Sequence, residues 1–151
     1  MTTKQCDENG LRTVIIGAGM AGILTAIKLR EAGYDNYVVY EKSNAVGGTW
    51  RENTYPGIAC DVPAHMYTYS FEPNPDWSSS YAPGEEIHNY FKRVAEKYQI
   101  LDKIRFNESV PFCEFIDGRW KIRTSSGRDD EADFVIAATG VLHHPRTPEI
   151  E

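Results

Sequence analysis

Apolar residues cluster over residues 11–16, reading as a short strand, and are followed by a glycine-rich turn and a helix to about residue 31. Met20, Ile23, Leu24, Ile27 and Leu29 recur at helical spacing, and Gly33 supplies a stop. Residues 37–40 (Tyr-Val-Val-Tyr) predict a second strand. Strand, crossover helix and strand within about 30 residues make a βαβ unit, which favours a parallel sheet. Further on, Ile87, Tyr90, Phe91, Val94, Ala95 and Tyr98 share one face of a helix predicted over 84–98. Glu85 and Glu86 fall in its first turn, where the helix dipole favours them. A short strand is expected at 104–106. Segments 110–116 and 119–124 flank Asp117-Gly118, a strong two-residue hairpin signal. Ser125-Ser126-Gly127 turns the chain again, the charged run 128–131 reads as a solvated turn, and 134–138 reads as a buried strand.

Residues 53–83 break this regularity. They carry Pro56, Pro63, Pro73, Pro75 and Pro83 with many Tyr and Ser and show no long helical period. Tyr67, Tyr69, Phe71, Trp77 and Tyr81 need burial, so an ordered irregular segment laid over a ligand or another domain is expected. The Tyr67/Tyr69/Phe71 alternation reads as a strand-like packing face.

The 151 residues suit one domain, and 41% hydrophobic content supports a core. The balance of 16 Lys+Arg against 22 Asp+Glu, net −6, gives no basic stripe for nucleic acid or an anionic membrane. The apolar run 14–24 is too short and too glycine-rich to span a bilayer, and the first residues lack a signal-peptide core, so a cytoplasmic location is expected. Cys6, Cys60 and Cys113 form neither a disulfide framework nor a metal-ligand spacing, and Cys60 reads as a small packed residue. His143-His144 read as exposed linker histidines rather than a metal site.

The strongest chemical signal is Gly17-Ala18-Gly19-Met20-Ala21-Gly22, set between the first strand and helix. The first glycine permits a tight turn, the second lets backbone approach a pyrophosphate, and the third lets the helix pack close to the strand. Free amides and the dipole at the helix start would then hold phosphates. Glu41, at the end of the second strand, lies at the spacing of the acid that accepts ribose hydroxyls. Its charge disfavours a 2′-phosphate, so FAD or NAD fits better than NADP. Gly47-Gly48 would let backbone approach something flat or charged and Trp50 offers an apolar plane; a turn with a core tryptophan accounts for the same residues.

Together, residues 17–22, Glu41-Lys42, Gly47-Gly48-Thr49-Trp50, Tyr55-Pro56-Gly57, Cys60-Asp61-Val62-Pro63 and Tyr69-Ser70-Phe71 resemble the start of class B flavoprotein monooxygenases, with the Baeyer–Villiger monooxygenases the nearest pattern. Ala138-Thr139-Gly140, with Leu142, Pro145 and Pro148, is similar to that family's link from the FAD domain toward its NADPH domain. The resemblance implies an α/β fold: a Rossmann-like FAD-binding domain with a parallel sheet and a small antiparallel β-meander, incomplete without the rest of the FAD domain and the NADPH domain. It divides the chain into a flexible N-terminus (1–10), the FAD-binding portion (11–140) and a linker (141–151).

The resemblance further implies FAD as cofactor and NADPH as co-substrate, with O2 and a ketone as the complete enzyme's other reactants and an ester or lactone as product. Gly17, Gly19, Met20, Ala21 and Gly22 would serve the pyrophosphate, and Glu41, with Lys42 beside it, the adenosine ribose. Gly48, Thr49 and Trp50 would lie toward the flavin, and Asp61 and Tyr67 would reach the cofactor region. Val110 would meet the adenine through its backbone, and Ala138, Thr139 and Gly140 complete the set. Asp61 matches a carboxylate that orients a catalytic arginine, although a loop carboxylate capping local amides explains it as well. Ala64 departs from the family's usual serine, removing a local hydroxyl contact. A second GxGxxG and the signature Phe-x-Gly-x-x-x-His-x-x-x-Trp do not occur in these residues. The expectation is therefore an N-terminal portion, inactive alone, whose strand at 134–138 has an uncovered edge open to self-association. A fragment of a nitrogen- or sulfur-oxidising flavin monooxygenase and a non-catalytic FAD-binding module are the alternatives.

Overall fold

A computed structural model describes residues 10–143 and 146–150. Strand β1 (Thr13–Ile16), helix α1 (Met20–Glu31) and strand β2 (Tyr37–Tyr40) form the expected βαβ unit, with Thr13 opposite Tyr37 and Ile16 opposite Tyr40. After the single-turn helix α2 (Thr49–Glu52), the chain runs irregularly to α3 (Gly84–Lys97). The strands β3 (Ile104–Arg105), β4 (Phe112–Ile116), β5 (Arg119–Arg123), β6 (Asp129–Ala132) and β7 (Phe134–Ala137) follow. A parallel sheet runs β3-β2-β1-β7, and β4-β5-β6 form a separate antiparallel meander. The expected α/β architecture is therefore present, and β7 is the edge strand on one side of the parallel sheet among the described residues.

Strand alternation sorts the core into two compartments. Ile15, Tyr37 and Val39 face Ile23, Ala26 and Ile27 of α1 and Ile87, Phe91 and Val94 of α3. Val14, Val38 and Tyr40 point the other way, onto Ile122 and Ala132 of the meander. The molecule is thus three layers, helices, parallel sheet and meander, with β1 and β2 buried on both sides, whereas β7, expected from its sequence to be buried, is an edge strand with Phe134 exposed. The hairpin tip forms as its sequence predicts, with Asp117 at φ +52° and Gly118 at +80°, the pair of left-handed residues of a type I′ turn.

Several expectations need correction. The buried face of α1 is Gly22, Ile23, Ala26 and Ile27, whereas Met20 and Leu24 are exposed. Gly22 and Ala26, placed between Ile23 and Ile27, let the first turns of the helix lie close to the sheet and the turn before it. Segment 53–83 is ordered, and its aromatic residues pack on this domain's own α3. Trp77 packs on Tyr90 (ring centroids 5.6 Å apart), Tyr69 on Phe91 (5.7 Å) and Phe71 on Tyr98 (5.4 Å). Tyr67, Tyr69 and Phe71 lie in turns, not a strand, and Tyr69 stacks flat on Phe71 at 5.2 Å. His143 is half-buried and lies 3.0 Å from the Glu52 carboxylate. His144 and residues 1–9 lie outside the described residues. No helix among the described residues is long and apolar enough to cross a membrane.

The largest revision concerns the charged run 128–131. Asp129–Ala132 is a strand, and Asp130 anchors the meander to the sheet. Arg12 grips the Asp130 carboxylate with two hydrogen bonds (3.1 and 2.7 Å), and the Tyr40 hydroxyl donates a third (2.7 Å). Burial by itself would raise the Asp130 pKa, but the bonds from Arg12 and Tyr40 outweigh it and hold the group below the usual carboxylate range. Burial and the same carboxylate push the Tyr40 phenol up to about 12.

Substituting Asp130→Ala is expected to cost about 1–3 kcal/mol of folding stability in urea denaturation at neutral pH, since charge-assisted bonds to a mostly buried carboxylate are lost. Because folding lowers this pKa, the contribution is present above the unfolded value of about 4 and disappears as pH falls through the folded value. The gap between wild type and variant should therefore close in acid. Equal stabilities at neutral pH would contradict the anchoring role.

Candidate functional site

Two glycine-rich backbone turns meet at the C-terminal ends of β1 and β2, where α/β sheets bind ligands. Gly17 leaves β1 at φ +101°, its amide donating to the Tyr40 carbonyl (2.8 Å). A Cβ on Gly17 would stand 2.5 Å from the carbonyl oxygen of Ala138, which follows β7. A Cβ on Gly22 would stand 1.9 Å from the Gly17 carbonyl oxygen, so the first turn of α1 lies directly against the turn that feeds it. Gly19 closes the start of α1 without any side-chain cap, leaving the helix's first amides for water or a ligand.

The second turn, Gly47-Gly48, is locked to the first. Gly47 donates its amide to the Ala18 carbonyl (2.9 Å), and a Cβ on Gly48 would come 3.0 Å from the Gly19 Cα. The sequence suggested that Gly47-Gly48 frees backbone for a flat or charged partner. For Gly47 the neighbour is instead the His88 ring, 2.5 Å from where a Cβ would lie. Gly48 alone keeps its place against the first turn.

Glu41 joins the turns electrostatically. It is 5% exposed; one carboxylate oxygen accepts the Ala18 amide at 2.7 Å and the other accepts the Ser43 amide at 2.9 Å. The glycine-rich turn and the acid of the second strand are thus in direct contact. The segment leading to Val110 runs alongside, with Glu108 donating its amide to the Glu41 carbonyl (2.9 Å) and Asn107 to that of Ser43 (2.9 Å). Val110 itself is half-buried against the Val14, Val38 and Tyr40 cluster.

The remaining expected residues spread outward. Met20 and Ala21 are exposed at the start of α1, and the Met20 carbonyl accepts the Tyr69 hydroxyl at 2.6 Å. Burial pushes the Tyr69 phenol far up, keeping it a donor. Thr49 and Trp50 are half-buried in α2, and the Trp50 indole donates to the Tyr67 hydroxyl at 3.1 Å, edge-to-face with its ring. Asp61 is exposed on the loop between buried Cys60 and Ala64. Ala138 is half-buried beside Gly17, while Thr139 and Gly140 are exposed. Lys42 is exposed and turned away from Glu41; it pairs with Glu52 at 2.7 Å and contacts the His143 ring. Burial works against the Glu52 charge, but the bonds from Lys42 and His143 prevail and lower its pKa.

Sequence reasoning missed Ser43 and His88. Ser43 contributes its backbone amide, which has no residue-type signature. His88 sits on a helix face that would have been recognised only by knowing which loop it meets.

Comparison with known proteins identifies the family and the fold. Residues 14–151 match the model of the family described as pyridine nucleotide-disulphide oxidoreductase. An uncharacterized monooxygenase of Mycobacterium tuberculosis (strain ATCC 25618 / H37Rv) is 51% identical over 136 residues, covering 90% of this chain and 28% of the relative. A Baeyer-Villiger monooxygenase of Streptomyces coelicolor is 41% identical over 142 residues, covering 93% and 27%. Among solved structures, the cyclohexanone monooxygenase from Rhodococcus sp. Phi1 bound to NADP+ superposes with a TM-score of 0.87 at 29% identity, covering 92% of this chain and 27% of that one. An oxidized steroid monooxygenase bound to NADP gives 0.85 at 35% identity, covering 92% and 28%. The resemblance read from the motifs is borne out, and the chain spans little more than a quarter of these relatives.

Gly22→Ala should cost about 3 kcal/mol or more, because its Cβ meets rigid backbone. Gly127→Ala, strained at φ +82° but facing open space, should cost only about 1 kcal/mol. Urea denaturation of the two variants checks the ordering, and an equal loss would remove the close-packing argument.

Proposed function

The chain belongs to the pyridine nucleotide-disulphide oxidoreductase family, and from that premise we propose that it binds FAD by its adenosine diphosphate half. It would do so as the N-terminal FAD-binding portion of an NADPH- and O2-dependent monooxygenase of the Baeyer–Villiger type, acting on ketones. The observation that carries the reading is the contact of the Glu41 carboxylate with the Ala18 amide of the glycine-rich turn, with the second glycine turn pressed against that same turn.

These residues fit the cofactor. The uncapped start of α1 offers amides of Met20, Ala21 and Gly22 and the positive end of the helix dipole to a pyrophosphate. Gly17, Gly19 and Gly48 leave out side chains that would hold the two turns and the end of β7 apart. Each Glu41 oxygen spends one lone pair on a backbone amide and retains capacity for ribose hydroxyls, while its charge repels a 2′-phosphate. The backbone of Val110 would meet the adenine. Trp50, held by Tyr67, and Thr49 would flank the flavin side, with Ala138, Thr139 and Gly140 behind the first turn and Lys42 at its margin. Asp61, exposed beside this region, would orient an arginine supplied by the rest of the enzyme. What FAD supplies when bound is the redox chemistry that couples NADPH oxidation to insertion of one O2 oxygen beside a ketone carbonyl, the other leaving as water. The open edge of β7 would support self-association when nothing covers it.

Titration of the chain with FAD, followed by flavin absorbance and fluorescence, tests the reading. ADP should compete with FAD and FMN should not, and Glu41→Ala should weaken binding by about tenfold or more through loss of charge-assisted bonds. Competition by FMN equal to that by ADP would overturn the assignment. In sedimentation, the chain's mass should rise with concentration; a constant monomer mass would remove the edge-pairing proposal.

A further inference from the structure

Helix α3 meets the cofactor-side turns through two residues one helical turn apart, Gly84 and His88. A Cβ on Gly84 would lie 3.4 Å from the Trp50 ring and 3.1 Å from Ile58, so α3 approaches the 47–52 segment closely. At His88 the helix does the opposite and reaches out. The imidazole Nε2 lies 2.9 Å from the Val46 carbonyl oxygen. A carbonyl can only accept, so Nε2 carries the proton and donates. The same ring fills the space beside Gly47 that a side chain there would need. Val46 is buried, and Gly47 next donates its amide to Ala18, whose own amide donates to Glu41.

We propose that His88 is a positioning residue that holds the Gly47-Gly48 turn against the Gly17–Gly19 backbone and so sets the shape of the cradle. The proposal rests on the FAD-binding reading for its functional consequence. The physical basis is a continuous chain of contacts. The adjoining face of α3 is fixed in the core by Ile87, Phe91 and Val94, so the His88 backbone is held rigidly. Its ring fixes Val46 and Gly47 by one donated bond and by volume. Gly47 and Gly48, which lack side chains and adopt φ of +123° and +52°, have large conformational freedom to lose and depend on such external restraint. Without the ring, both the carbonyl of Val46 and the space beside Gly47 would be left to water.

His88→Leu, which keeps volume and removes the donor, and His88→Gln, which restores a donor, distinguish this from ordinary packing. In the ligand-free chain, hydrogen exchange at the Gly47 amide should accelerate about tenfold in His88→Leu, the effect of losing one bond near 1.4 kcal/mol. It should return close to wild type in His88→Gln, with the α3 amides of Phe91 and Val94 unchanged in both. FAD affinity should fall by a similar factor in His88→Leu and recover in His88→Gln. Unchanged Gly47 exchange in His88→Leu overturns the proposal, as does an equal acceleration at Phe91 and Val94, which would mark general loosening. Unchanged FAD affinity in a wild type and His88→Leu that both bind also overturns it. If the wild type binds no FAD while Gly47 exchange responds as stated, the FAD reading fails and the hold of His88 on the turn stands.

Discussion

Backbone in contact with backbone governs the head of this molecule. The Gly17 carbonyl lies where a Gly22 side chain would begin, the Ala138 carbonyl where a Gly17 side chain would, and Gly48 rests on Gly19. Each approach brings elements closer than a methyl group at that position would allow. The result is that β1, α1, the 47–48 turn and the end of β7 form one rigid corner. Everything else, including the three-layer core, is arranged so that this corner can be that tight. The small buried face of α1, Gly22 and Ala26 among the larger Ile23 and Ile27, is one consequence; a bulkier face would lift the helix away from the sheet.

A corner made of bare backbone has polar groups to satisfy, and Glu41 answers part of that need. Its buried carboxylate takes the amides of Ala18 in the glycine-rich turn and of Ser43 just beyond β2, which offsets part of the cost of burying its charge. The acid therefore belongs to the architecture as much as to any ligand. The same logic recurs at the opposite layer, where Asp130 gathers Arg12 and Tyr40 beneath the meander. One carboxylate ties turn to turn, the other ties layer to layer.

Much of this was legible in the amino-acid order. The βαβ unit, α3 and the Asp117-Gly118 hairpin follow from periodicity and turn chemistry, and the glycine spacing with Glu41 marked the corner before any coordinates. What escaped shares a physical cause: it depends on long-range partners. The run 128–131 carries three carboxylates and reads as solvent-facing until Arg12 and Tyr40, about 90 to 120 positions away in sequence, are seen around Asp130. Met20 and Leu24 look like core residues on a helical wheel, but the face that packs inward is the one carrying Gly22 and Ala26, where the helix can come close to its neighbours. His143 reads as linker until Glu52 and Lys42 are found beside it. Tertiary contact overrode local pattern in each case.

The meander leaves the parallel sheet after β3 and rejoins it at β7, and its grip on the body is concentrated at the base, in Asp130 and in the Ile122 and Ala132 contacts. The far end, around Asp117 and Gly118, is exposed and bears little of the load. Such a hairpin tip tolerates added residues, because lengthening a surface loop costs only slowly growing closure entropy. It offers an internal attachment point for an epitope or a fluorophore, where a label would ride on the domain without entering the glycine corner.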